Sequence, residues 1–172
     1  MEKTPWVFVD CEARGTSPVN GVLTEFGAVH YDTRKTFYGR LFEATPDPEN
    51  PAISIVGERL ATDKEVAGAF NDWLLTVIGS TRPVFVSDNP AYDWQWIAGM
   101  FDRAHMPNPF GHSARRISDF WAGVQLDWSD TQSWKRFRRT AHGHNPVNDA
   151  MGNVEAFEHI LQIVKERRSQ VA

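Results

Sequence analysis

The chain has a single cysteine, Cys11, in 172 residues. One thiol excludes a disulfide framework and the thiolate zinc sites that need several such ligands, and it fits a reducing compartment. No apolar run approaches the roughly 18 residues needed to span a bilayer, so no membrane partner is expected. The opening Met1-Glu2-Lys3-Thr4-Pro5 leads into a short apolar segment instead of the hydrophobic region of a secretory signal, and a cytoplasmic location is expected. A surplus of basic charge is missing as well: 18 Lys+Arg stand against 22 Asp+Glu, a net charge of −4. General polyanion binding rests on Lys and Arg neutralising phosphates and is disfavoured; a local site is not. If four carboxylates serve a metal site, the remaining acids and bases balance. Repeats, linkers and low-complexity stretches are absent, and the length suits one domain, 1–172, with a real core.

The hydrophobic pattern that is present predicts an α/β domain. Trp6 to Glu12 is a short apolar run ending at a Gly/Ser/Pro segment, Gly15 to Pro18, as expected of a strand buried on both faces. Val22 to Tyr31 and Phe37 to Phe42 read as two more strands around the polar turn Asp32-Thr33-Arg34-Lys35, together an antiparallel meander. After a loop marked by Pro46, Pro48 and Pro51, Thr62-Asp63-Lys64-Glu65 has the capping-box pattern, and Val66, Phe70, Trp73, Leu74, Val77 and Ile78 follow at helical spacing. Pro83 to Ser87 predicts a fourth strand, and Ala91 to His105 a helix that stops before Pro107 and Pro109. Ile117 to Trp121 is read as a short fifth strand, and Asp127 to Arg139 as either a polar helix or an exposed loop. In the last helix Asn145 can cap, Pro146 suits the first position, and Val147, Ala150, Val154, Phe157, Leu161 and Val164 form an apolar stripe.

Asp10 and Glu12 stand two apart on the first strand, so their side chains project from one face at its open end. Two carboxylates held ionised near apolar neighbours need a cation or protons, and hard oxygen donors suit Mg²⁺ or Mn²⁺. Cys11 points to the opposite face. Asp93 lies just inside the helix after the fourth strand, at the sheet edge where open α/β sheets place ligands. His144 sits in the loop Ala141-His142-Gly143-His144-Asn145, and Asp149 on the first turn of the last helix. Each has an ordinary alternative: strand-end acids are common, acids favour helix N-termini, and loop histidines form hydrogen bonds. Only the combination points to chemistry.

Four segments carry a family resemblance: Val9-Asp10-Cys11-Glu12 with Gly15; Leu23-Thr24-Glu25-Phe26-Gly27-Ala28-Val29; Asp88-Asn89-Pro90-Ala91-Tyr92-Asp93; and His144-Asn145-Pro146-Val147-Asn148-Asp149-Ala150. In order and spacing they resemble the motifs of the DEDDh exonucleases, over residues 6 to 164. The resemblance implies a ribonuclease-H-like mixed sheet flanked by helices, three antiparallel N-terminal strands plus parallel ones. It also implies 3′→5′ removal of nucleoside 5′-monophosphates with two divalent ions, Mg²⁺ or Mn²⁺. By motif position Asp10, Glu12, Asp93 and Asp149 would bind metal, Asp10 touching both ions, and His144 would be the general base. The H-x4-D spacing marks the histidine branch. Two positions depart from the pattern. Ala13-Arg14 replaces a frequent Thr-Thr, so Arg14 is expected to reach a phosphate, and Asp88 stands where a His is frequent. Asp88 is read as a turn residue, with an additional acid at the metal site as the alternative. His142 is too far from Asp149 in sequence to fit the motif and is read as a loop residue.

For the substrate, Trp134-Lys135-Arg136-Phe137-Arg138-Arg139 combines aromatics and cations, as single-stranded nucleic acid requires, and Arg136, Arg138 and Arg139 are the expected phosphate contacts. The competing reading is an amphipathic segment with its aromatics in the core. Leu23 and Phe26 could wedge against terminal bases, as matching positions do in similar enzymes, or pack inside. Of Trp94 and Trp96, at least one should be core. The expected partners are 3′ ends of single-stranded RNA or DNA; the stand-alone size leans toward RNA, with a DNA exonuclease and a non-catalytic binding domain as alternatives. Dimers are frequent among similar small exonucleases, so a homodimer is also expected.

Overall fold

A computed structural model describes residues 4–41 and 61–171. Phe42 and the loop marked by Pro46, Pro48 and Pro51 lie outside the described residues. Strands β1 (Trp6–Arg14), β2 (Val22–His30) and β3 (Thr36–Arg40) form the antiparallel meander. β4 (Val84–Ser87) and β5 (Ala114–Arg116) extend the sheet from the other edge of β1, each parallel to its neighbour, giving the order β3-β2-β1-β4-β5. Helices α1 (Asp63–Ile78), α2 (Pro90–Arg103), α3 (Ile117–Gln125) and α4 (Pro146–Val171) complete the architecture. None of them is long and apolar enough to cross a membrane.

β1 is central and covered on both faces, which is why its start reads as an unbroken apolar run: Val7, Phe8 and Val9 are fully buried. Strand alternation sorts its side chains. Val7, Val9 and Cys11 enter a core built with α1 and α2, where Val66, Phe70, Trp96, Ile97 and Met100 pack. Phe8 enters a second core with Trp121 of α3 and Val154 and Ile160 of α4. Asp10 and Glu12 continue the Phe8 face, so they project toward α4. α1 starts at the expected capping box: the Thr62 hydroxyl accepts from the Glu65 N–H, and the Glu65 carboxylate accepts from the Thr62 N–H.

Two local readings change. The fifth strand is Ala114–Arg116, and Ile117 to Trp121 opens α3 instead. Buried Ile117, Trp121 and Ala122 recur at i, i+4 and i+5, which is helical periodicity and not strand alternation. Between α3 and α4 the chain makes turns and a short 3₁₀ segment, Ser133–Phe137. That segment is anchored by fully buried Trp134, whose indole N–H donates to Ser118 Oγ at 3.2 Å and to the Thr131 carbonyl at 3.0 Å.

The contact that aims α4 is made at Gly27. It stands opposite Asp10 in the β1–β2 register, and a Cβ there would lie 2.3 Å from Pro146 C and Val147 N. Only a glycine allows the first turn of α4 to rest directly on β2 beside Asp10. Gly27→Ala is therefore expected to cost about 1–3 kcal/mol through overpacking, measured by denaturant unfolding. Gly68→Ala in α1, with nothing within 4 Å of the added methyl, is expected to gain about 0.5–1 kcal/mol. Equal effects at the two sites would contradict this packing.

Candidate active site

The site forms where the end of β1 meets the start of α4. The register between β1 and β2 shifts between Glu12 and Ala13, leaving Thr24 as an extra residue on β2, and the Thr24 hydroxyl donates to the Glu12 carbonyl at 2.9 Å. Such irregularities re-aim side chains at sheet ends. Asn145 caps α4 as predicted: its side-chain oxygen accepts from the N–H groups of Val147 at 3.1 Å and Asn148 at 3.0 Å. One turn on, Asp149 reaches back to β1. Asp10, Glu12 and Asp149 each offer an oxygen within 4.8 Å of the others. Asp149 is 1% exposed; its Oδ1 accepts from the Gly143 N–H at 3.2 Å, while Oδ2 is buried without a donor among the described residues.

Asp93, 3% exposed on the first turn of α2, joins them from the other side of β1. Its Oδ1 accepts from the Cys11 N–H at 3.0 Å, which ties α2 to the strand between Asp10 and Glu12. Cys11 itself points the other way, as expected, with its Sγ 3.6 Å from the Asp93 carbonyl.

Burial pushes the Asp10 carboxyl well above the usual carboxylate range, and the charges of Asp93, Asp149, Asp88 and Glu12 push it further. Asp93 is raised by burial to about 7, against the opposing Cys11 N–H. Glu12 is raised by burial too, with His144 pulling it down. These acids cannot all be ionised at neutral pH without added positive charge. Clustered hard oxygens, one of them buried and lacking a donor, fit a divalent cation such as Mg²⁺ or Mn²⁺ and not a soft metal.

His144 is 79% exposed, in the left-handed conformation (φ 57), with Nδ1 3.6 Å from Glu12 Oε1. His142 is in the loop as read, yet its Nδ1 lies 2.8 Å from Asp149 Oδ1 and its ring 4.9 Å from that of His144. Sequence spacing missed this contact because the loop folds back over the first turn of α4. Asp88 is also more than a turn residue: its carboxylate lies 3.1 Å from Lys135 Nζ and 3.5 Å from Arg138 Nη2.

No family model matches the chain. A curated relative from Escherichia coli, the 3′-5′ DNA exonuclease Cap18, is 26% identical over 181 residues, covering 97% of each chain. The nuclease domain of 3′hExo, a DEDDh family member bound to rAMP, superposes with a TM-score of 0.64 at 16% identity, covering 91% of each chain. E. coli ExoI in a zinc-bound complex with single-stranded DNA superposes with a TM-score of 0.53 at 19% identity, covering 95% of this chain and 41% of ExoI. The chain has the fold of a DEDDh nuclease domain.

Within this DEDDh fold the expected substrate contacts separate. Arg14 is exposed at the end of β1. Gly15 has φ +93, and a Cβ there would meet Gly21 Cα at 2.7 Å, so its role is to let the backbone turn. Leu23 and Phe26 are both core residues, which corrects the wedge reading: burial leaves neither side chain free to meet a base. Trp96 is fully buried and Trp94 partly so. Arg136 is exposed, with its guanidinium 4.8 Å above the Phe137 ring. Arg138 is a second correction: only 9% exposed, it donates to Asn153, pairs with Asp88 and stacks 5.0 Å from the Trp134 ring, so its charge is spent inside the protein. Arg139 leans along α4 toward Glu155 and Glu158, away from the acids. Lys135, from the same cationic segment, is half-exposed at the rim beside Asp88.

Without metal, folded Asp93 holds its proton up to about pH 7, whereas the unfolded chain releases it near 3.8. The folded state binds more protons between those values, so stability falls as pH rises through that window. In EDTA, Tm is expected to be lower at pH 7.5 than at pH 5. Asp93→Asn should flatten that slope, and millimolar Mg²⁺ or Mn²⁺ should raise the wild-type Tm most at pH 7.5. A flat wild-type profile in EDTA would reject the burial of an ionisable Asp93 described here.

Proposed function

We propose that the chain is a 3′→5′ exonuclease that releases nucleoside 5′-monophosphates from single-stranded nucleic acid. In this reading Asp10, Glu12, Asp93 and Asp149 hold two divalent cations, Mg²⁺ or Mn²⁺, and His144 is the general base. The observation that carries it is the meeting of Asp10, Glu12 and Asp149, from opposite ends of the sequence, in one half-buried cluster.

When bound, the divalent cations would supply charge stabilisation for phosphoryl displacement and acidify the attacking water. Asp10, Glu12 and Asp149 would hold one ion; Asp93, beside Asp10, would serve the second. A ring nitrogen of His144 takes the proton of the water, and the Glu12 carboxylate, 3.6 Å from Nδ1, stabilises the imidazolium that results. The water oxygen bonds to phosphorus as the P–O3′ bond breaks. The electron pair leaves with the 3′ oxygen, which gains a proton and becomes the new 3′ end. High exposure of His144 suits a base that must meet an incoming strand.

Phosphate contacts in this reading come from Lys135, Arg136 and Arg14, in place of Arg138 and Arg139. Between DNA and RNA, small size is no guide to RNA, because the relative of nearly equal length is named a DNA exonuclease. That relative favours DNA, and discrimination would rest on contacts to the 2′-hydroxyl.

With 5′-labelled single-stranded DNA and RNA and Mn²⁺, the wild type is expected to give a ladder that shortens from the 3′ end, faster on DNA. Asp10→Ala should lose on the order of 10³-fold or more in rate, the loss of several kcal/mol of charge stabilisation. Equal degradation by the variant would refute the assignment. Lys135→Ala is expected to raise KM and to lower the slope of log KM against log salt by about 1. Arg138→Ala should instead lower Tm; a changed salt slope there would restore it as a strand contact.

A further inference from the structure

The exonuclease reading uses one of the two histidines on the loop before α4. His142, the other, lies 2.8 Å from a carboxylate that would bind metal. We propose that His142 is a positioning residue that orients the Asp149 carboxylate for its cation; this rests on the reading of Asp149 as a metal-binding group. An ionised carboxylate only accepts hydrogen bonds, and Nδ1 of His142 stands 2.8 Å from Asp149 Oδ1, so the attraction between them is strongest with the proton on Nδ1. The Gly143 N–H donates to the same oxygen at 3.2 Å. Oδ1 thus accepts from one loop N–H and lies against the ring nitrogen of the preceding loop residue, while Oδ2 is buried and without a donor among the described residues. The two oxygens are made unequal: one held by the loop, the other free for a ligand. A carboxylate held in this way loses less rotational freedom when a cation binds, which is how hydrogen bonds behind a metal ligand raise metal affinity.

The test reads thermal unfolding against Mn²⁺ concentration, without substrate, for the wild type, His142→Ala, His142→Asn and Asp149→Asn. The half-saturating Mn²⁺ concentration is expected to rise about 10-fold or more in His142→Ala. His142→Asn, whose amide can donate to Asp149, should recover part of that loss, and Asp149→Asn should abolish the stabilisation. A lower Tm in EDTA with an unchanged Mn²⁺ midpoint would reduce His142 to a structural role and overturn the inference. His142→Asn behaving like His142→Ala would overturn it too, because donation would then not be what matters. If His142→Ala does not fold, the midpoint of His142→Asn against the wild type decides. No Mn²⁺ stabilisation of the wild type would instead sink the metal-site reading itself, so the two failures are distinguishable.

Discussion

The burial of several carboxylates in one place, with mutual repulsion added to it, is the constraint around which this molecule is arranged. Asp10, Glu12 and Asp149 crowd together, with Asp93 across β1, and burial raises the protonation tendency of Asp10, Glu12 and Asp93. An unstructured chain would hold Asp93 and Asp149 far from Asp10 and Glu12. The fold keeps them close at the expense of its own stability, and the rest of the architecture supplies the compensation: two apolar cores, one on each face of the sheet. A scaffold that stores unfavourable charge in this way is ready for a ligand of opposite sign.

Three contacts hold the acids against their repulsion, and each acts on the backbone. Gly27 admits the first turn of α4 onto β2. The Cys11 N–H binds the Asp93 carboxylate, which fixes α2 beside β1. The loop N–H of Gly143 holds Asp149. In two of the three contacts a backbone N–H takes one oxygen of the carboxylate it holds, Oδ1 of Asp93 and Oδ1 of Asp149.

Much of this was legible in the sequence. Alternation along β1 placed Asp10 and Glu12 opposite Cys11; the capping box started α1 where Thr62 stands; and Asn145-Pro146 began α4 where its apolar stripe begins. What failed depended on tertiary packing. Ile117 to Trp121 is too short for its period to distinguish strand from helix until Trp121 is seen against α4. Arg138 looked like a surface cation because nothing in the sequence says that Asp88 and Asn153 enclose it. Phe26 is apolar and adjacent to a motif, which fits a base wedge as well as a core ring; contact with Phe70 at 5.0 Å decides for the core. The contacts of His142 with Asp149 and of Lys135 with Asp88 are not legible for the same reason: they are brought by loops whose path no local pattern encodes.

The pairing of β1 with β4 runs only from Trp6 to Phe8, so by Cys11 the backbone on that edge has outrun its neighbouring strand. The Asp93 carboxylate takes the place that a fourth-strand carbonyl would have occupied. Amide hydrogen exchange at Cys11 is thus governed by a side chain and not by the sheet ladder. That one backbone position, deep in the protein, works as a built-in gauge of whether the helix carrying Asp93 is docked or has swung away.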